Sequence, residues 1–175
     1  MQKNNKLLFC YTILAIALLM GSFVRIQVIS GSSFPINDGG LFYQMVEDLL
    51  ENNLSLPETT TYNNSEIPYA YPPLAFYVVA ILKLITQLPL LFLFRMVPLV
   101  TSILVILAYY LLARKILGDG ILTSLSVLFF ALLPRSFEWF LMGGGITRGL
   151  GFLFAILAIA NIWEIFTKIT AFVFL

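Results

Sequence analysis

Four runs of the chain, Leu7 to Val24, Arg95 to Ala113, Ile121 to Phe140 and Gly149 to Phe166, are apolar over enough residues to cross about 30 Å of hydrocarbon as helices. In such a medium the backbone must satisfy its own hydrogen bonds, so the chain is confined to α-helices or a closed barrel, and runs of this length select helices. The remainder offers no soluble alternative. Of 175 residues 60% are hydrophobic and 11% are charged, against about 25% charged in ordinary soluble chains. The expected fold is therefore an all-α integral membrane protein. Lys+Arg 10 against Asp+Glu 9 gives a net charge of +1, with no basic excess to recruit nucleic acid. Histidine is missing and Cys10 is the single cysteine, which excludes internal disulfides, Cys/His zinc sites and His-based proton transfer. Chemistry falls to carboxylates, Arg, Lys or Tyr.

Charge sets the expected topology. Lys3 and Lys6 precede the first run, while no Lys or Arg occurs from Ile26 to Leu82, where Asp38, Glu47, Asp48, Glu51, Glu58 and Glu66 fall. The positive-inside rule then puts the N-terminus in the cytoplasm and 30–90 outside. A cleaved secretory signal is the rival reading of the first run. Within 30–90, Leu41, Phe42, Met45, Val46, Leu49 and Leu50 recur at helical spacing among polar residues, predicting a surface helix over Gly39 to Asn52. Asn52 to Tyr69 reads as an exposed loop. Pro72 to Gln87 is apolar but short and contains Lys83. It is expected on or dipping into the outer leaflet, because a crossing there would place Arg114 and Lys115 outside. The expectation is one membrane module over 1–175, with spans over about 7–29, 95–113, 121–140 and 149–168, two juxtamembrane helices, and both polar loops on one face. The apolar ending at Thr170 to Leu175 suggests the N-terminal part of a longer polytopic chain.

Three segments carry candidate chemistry. Asp38, in Ile36-Asn37-Asp38-Gly39-Gly40, sits where a carboxylate acts as general base, holds a divalent cation, or caps the surface helix. Tyr69-Ala70-Tyr71-Pro72-Pro73-Leu74 is a stiff entry to the next helix, with Tyr as an interfacial anchor. Met142-Gly143-Gly144-Gly145-Ile146-Thr147-Arg148-Gly149 joins exposed backbone N–H groups to a guanidinium fork ahead of a helix, which suits a phosphate. A tight turn with a snorkelling arginine is the plain alternative. Arg135 and Glu138, three apart, are placed to pair with each other. Arg95 is an anchor or a second anion contact.

Taken in order, Asp38, Tyr71-Pro72-Pro73-Leu74, Arg95-Met96-Val97-Pro98, Leu111 to Gly118 and the loop from Pro134-Arg135 through Arg148 resemble the GT-C superfamily of membrane glycosyltransferases. That superfamily includes the protein O-mannosyltransferases, the aminoarabinose transferases and the catalytic subunit of oligosaccharyltransferase. The resemblance spans nearly the whole chain but only the N-terminal part of such an enzyme. It implies a polyprenyl-phosphate-linked sugar donor, a bilayer-embedded enzyme of a prokaryotic plasma membrane, and Asp38 as the catalytic or metal-binding carboxylate. Many relatives carry Asp-Glu where this chain has Asp38-Gly39, and some carry an acidic residue where it has the glycines and Arg148. Tyr71, Arg95, Gly144, Gly145 and Arg148 are the candidate substrate contacts, Arg148 as the contact to the donor phosphate. A non-catalytic polytopic protein, a transporter half or an assembly subunit, is the alternative from another class. A transporter is expected to show ionisable residues or breaks within its spans.

Overall fold

A computed structural model describes residues 2–31, 37–142 and 145–173. In order these form α1 (Gln2–Ser30), α2 (Gly39–Glu51), β1 (Thr59–Thr60), a 3₁₀ turn (Tyr62–Asn64), β2 (Ile67–Pro68), α3 (Leu74–Thr86), α4 (Leu90–Leu117), α5 (Ile121–Leu132), a second 3₁₀ turn (Pro134–Ser136), α6 (Glu138–Leu141) and α7 (Gly145–Val173). The protein is an all-α membrane protein. Asn4–Ser30 of α1, Leu90–Leu117 of α4 and Gly145–Thr167 of α7 are long and apolar enough to cross a bilayer.

The fourth expected span, 121–140, is not one helix. α5 has 12 residues, about 18 Å of rise, short of the ~30 Å core. Pro134 causes the break, since the residue before a proline is driven from helical geometry and Leu133 is extended at φ −71°, ψ 117°. Pro134 also lacks the N–H that would serve the Phe130 carbonyl, and Ser136 Oγ donates to that carbonyl instead at 2.6 Å. α4 begins at Leu90, directly after Pro89, so Arg95 lies in its second turn rather than at its start. α3 has 13 residues, about 20 Å long, shorter than the ~30 Å hydrocarbon core.

The end of α5 is held by a residue that the sequence reading leaves inside the first span. Arg25 of α1 is fully buried, with its Nε donating to Ser102 Oγ on α4 at 2.9 Å. Its Nη1 donates to the carbonyls of Gly21 at 2.9 Å and Ala131 at 2.7 Å. Its Nη2 reaches Ser136 Oγ at 3.5 Å, and the guanidinium lies 4.5 Å from the Phe137 ring centroid. Among the described residues this buried cation thus hydrogen-bonds to neutral groups, one of them a carbonyl at the negative end of α5. The close approach of α1 to α4 and α5 depends on Gly21, where a Cβ would meet Ile106 Cδ1 at 2.9 Å and Ala131 Cβ at 3.0 Å.

A second cluster forms where α2 lies against α3 and the start of α4. Phe42, Met45, Val46 and Leu49 of α2 bury against Phe76, Val79, Phe94 and Ile146, as the helical spacing predicts. Tyr69 closes this cluster, its hydroxyl donating to the Met45 carbonyl at 2.6 Å. Burial first, then the charge of Asp48, pushes the Tyr69 phenol well above its ordinary range, which keeps the donor protonated.

Asp48, on the polar side of α2 by sequence, is only 6% exposed because the loop folds over it. Its carboxylate accepts from Thr60 Oγ1 at 2.5 Å, Thr61 Oγ1 at 2.6 Å, the Thr61 N–H at 3.0 Å and Gln44 Nε2 at 3.1 Å. The β1–β2 hairpin, pairing Thr59 with Pro68 and Thr60 with Ile67, is anchored this way. Burial raises the Asp48 pKa, but the hydrogen bonds from Thr60, Thr61 and Gln44 together outweigh it and hold the carboxyl below its ordinary value. A depressed folded-state pKa stabilises above the unfolded-state pKa, and that contribution disappears as pH falls through the folded value. Thermal unfolding in detergent from pH 6 down to pH 3 is therefore expected to show a loss of stability that is smaller in Asp48→Asn. Equal losses would contradict the anchor.

Candidate functional site

Contacts order the ends of the bundle. Arg95 Nη2 on α4 donates to the Ile29 carbonyl at the end of α1 at 2.7 Å, and Asp38, ahead of α2, meets Arg148, in the first turn of α7, at 3.2 Å. At the opposite end Lys115 of α4 pairs with Glu164 of α7 at 2.6 Å, and Arg114 pairs with Asp119 in the α4–α5 turn. Both polar loops therefore lie at one end of the bundle, as the charge pattern implied.

Asp38 occupies the position before α2, yet its side chain makes no capping hydrogen bond there. The carboxylate faces Arg148 instead, across 110 residues of sequence. Arg148 also lies over the Trp139 ring, 5.1 Å from its centroid, so α6 supplies an aromatic floor for the cation. The side chains of Arg148 and Asp38 are 41% and 40% exposed, and a pair so open to solvent contributes little stability, about 0–1 kcal/mol. Its partners remain free to exchange for a ligand.

The other candidates are placed as follows. Tyr71 sets its ring edge-on to Phe42, centroids 4.7 Å apart, one turn along α2 from Asp38. Arg95 is tied to the end of α1, and its buried Nε has no hydrogen-bond partner among the described residues. No hydrogen bond or ion pair joins Arg95 to Asp38 or Arg148 among the described residues. α7 starts at Gly145 rather than Gly149, which brings Arg148 into the helix. The Gly145 N–H is already donated to the Met142 carbonyl at 2.7 Å. A Cβ there would fall 1.7 Å from the Phe140 carbonyl oxygen, so only glycine fits this turn. Gly144 lies outside the described residues. The expected Arg135–Glu138 ion pair is not formed; Arg135 is exposed on the 3₁₀ turn and Glu138 opens α6.

A divalent cation at Asp38 does not fit this donor set. Its charged neighbour is a guanidinium, and no group of three His, Cys, Asp or Glu suited to a metal gathers among the described residues. Trp139 and Arg25 are the residues the sequence reading missed. Trp139 carried no signal beyond its place in the loop, whereas Arg25 did, as a charge inside an apolar run. Comparison with known protein families, curated proteins and solved structures gives no match.

Proposed function

We propose that the chain is the membrane module of a GT-C-like glycosyltransferase, with its site at the bundle end that holds Asp38 and Arg148. One observation carries the reading: the carboxylate and the guanidinium singled out on separate grounds in sequence meet at 3.2 Å. In this reading a polyprenyl-phosphate sugar enters from the bilayer and its phosphate takes the Arg148 fork, displacing Asp38. The acceptor hydroxyl attacks the sugar's anomeric carbon as the bond from that carbon to the phosphate oxygen breaks. The hydroxyl proton passes to the freed Asp38 carboxylate, and the electron pair leaves on the lipid phosphate, where Arg148 neutralises it. Trp139 holds the guanidinium in place.

Binding of polyprenyl phosphate to the purified chain tests this directly. Arg148→Gln is expected to weaken binding about tenfold, the lower range for a hydrogen bond to a charged group, while Arg135→Gln leaves it unchanged. Equal binding by native chain and Arg148→Gln would remove Arg148 from the site. In this reading the site is on the outer face, with the N-terminus cytoplasmic. In a Cys10→Ser background, Ser65→Cys is expected to react with an impermeant thiol reagent in intact cells, and Gly120→Cys only after permeabilisation. The reverse pattern would invert the orientation.

A transporter half is favoured by two observations, Arg25 within α1 and the break after α5. Both are accounted for by each other, since Arg25 hydrogen-bonds the carbonyl that the break exposes. That reading expects Asp38 to be dispensable.

A further inference from the structure

A groove runs along α1, α4 and α5 at the end of the bundle opposite Asp38. Its mouth, about 400 Å³, is lined by Lys6, Leu7, Cys10, Asp119 and Gly120. A neck of about 20 Å³, lined by Tyr11, Leu14, Thr123 and Ser124, joins it to an apolar recess of about 170 Å³ that ends at Leu18 and Val127. We infer that this groove binds one anionic phospholipid, an acyl chain lying in the recess and the phosphate at Lys6. Lys6 and Leu18 are 12 residues apart on one continuous helix, about 18 Å, which is close to the depth of one leaflet of a ~30 Å core. The lining of the inner recess is apolar, so in the bilayer a hydrocarbon chain is the occupant it suits.

Charge at the mouth selects the headgroup. Asp119 is paired with Arg114, whereas exposed Lys6 has no acidic partner among the described residues. The uncompensated charge is positive and the complementary headgroup is negative. Gly120 offers a way to close the mouth: its backbone is extended, φ 175°, and a Cβ there meets nothing within 4 Å.

The test reconstitutes the full chain in nanodiscs of equimolar phosphatidylglycerol and phosphatidylcholine, re-extracts it in mild detergent and counts retained lipids by native mass spectrometry. One phosphatidylglycerol per chain is expected, favoured over phosphatidylcholine about fivefold, the effect of one basic residue near an anionic headgroup. Lys6→Gln should bring the two lipids to parity. Gly120→Trp, and independently Leu7→Trp, should abolish the retained lipid with helicity unchanged. Equal retention of both lipids by the native chain would overturn the headgroup assignment. Retention that survives both Trp variants, or a native dimer that those variants dissociate, would overturn the lipid assignment.

Discussion

Arg25→Ala is expected to destabilise the folded protein by about 3 kcal/mol, from lost interhelical hydrogen bonds together with the cavity left by the side chain. The guanidinium bridges three helices, and two of its four hydrogen-bond partners have somewhere else to turn. Gly21 keeps its place in the α1 ladder, and Ser136 already donates to Phe130. The Ala131 carbonyl has no such alternative, because α5 ends at Leu132. Arg25→Lys supplies one ammonium in place of a fork, and should fall between native and Arg25→Ala. Thermal unfolding in detergent followed by circular dichroism reads the series. An Arg25→Ala protein as stable as native would mean that Arg25 does not hold the end of α5. The same change should reach the candidate site through Phe137 and α6. In a Trp163→Phe background, the emission of Trp139 is expected to shift in Arg25→Ala relative to native.

The parts of this fold legible in sequence are those governed by periodicity and charge. Helical spacing marked the buried face of α2, and the distribution of Lys and Arg put both polar loops at one end, where Asp38 and Arg148 meet. What was not legible depends on contacts between distant segments. Asp48 reads as one more polar residue of an amphipathic helix until Thr60 and Thr61 fold over it. Pro134 stands within 121–140 in the sequence, but how the break is held depends on Ser136 and Arg25, which serve the Phe130 and Ala131 carbonyls. In sequence the Asp38 side chain suits a cap before α2 as well as chemistry. Only the position of Arg148, set by the tight turn at Gly145, turned it from the α2 backbone toward a cation.

The larger effect is expected at Asp38. Asn accepts the same hydrogen bonds as Asp at a helix start, and Asp38 makes none there with its side chain. The ion pair with Arg148 is half exposed and contributes little to stability. Asp38→Asn should therefore insert and fold as native does. It nonetheless removes the charge that accepts the acceptor's proton, and general base catalysis contributes about 10² to 10⁴ in rate. The deciding measurement is the rate of sugar transfer from a polyprenyl-phosphate donor to a hydroxyl acceptor, by native protein and by Asp38→Asn in the form the cell makes. The account predicts a fall of about 10²-fold or more with the amount of folded protein unchanged. Transfer by Asp38→Asn above about a tenth of native, less than a general base must contribute, would contradict it.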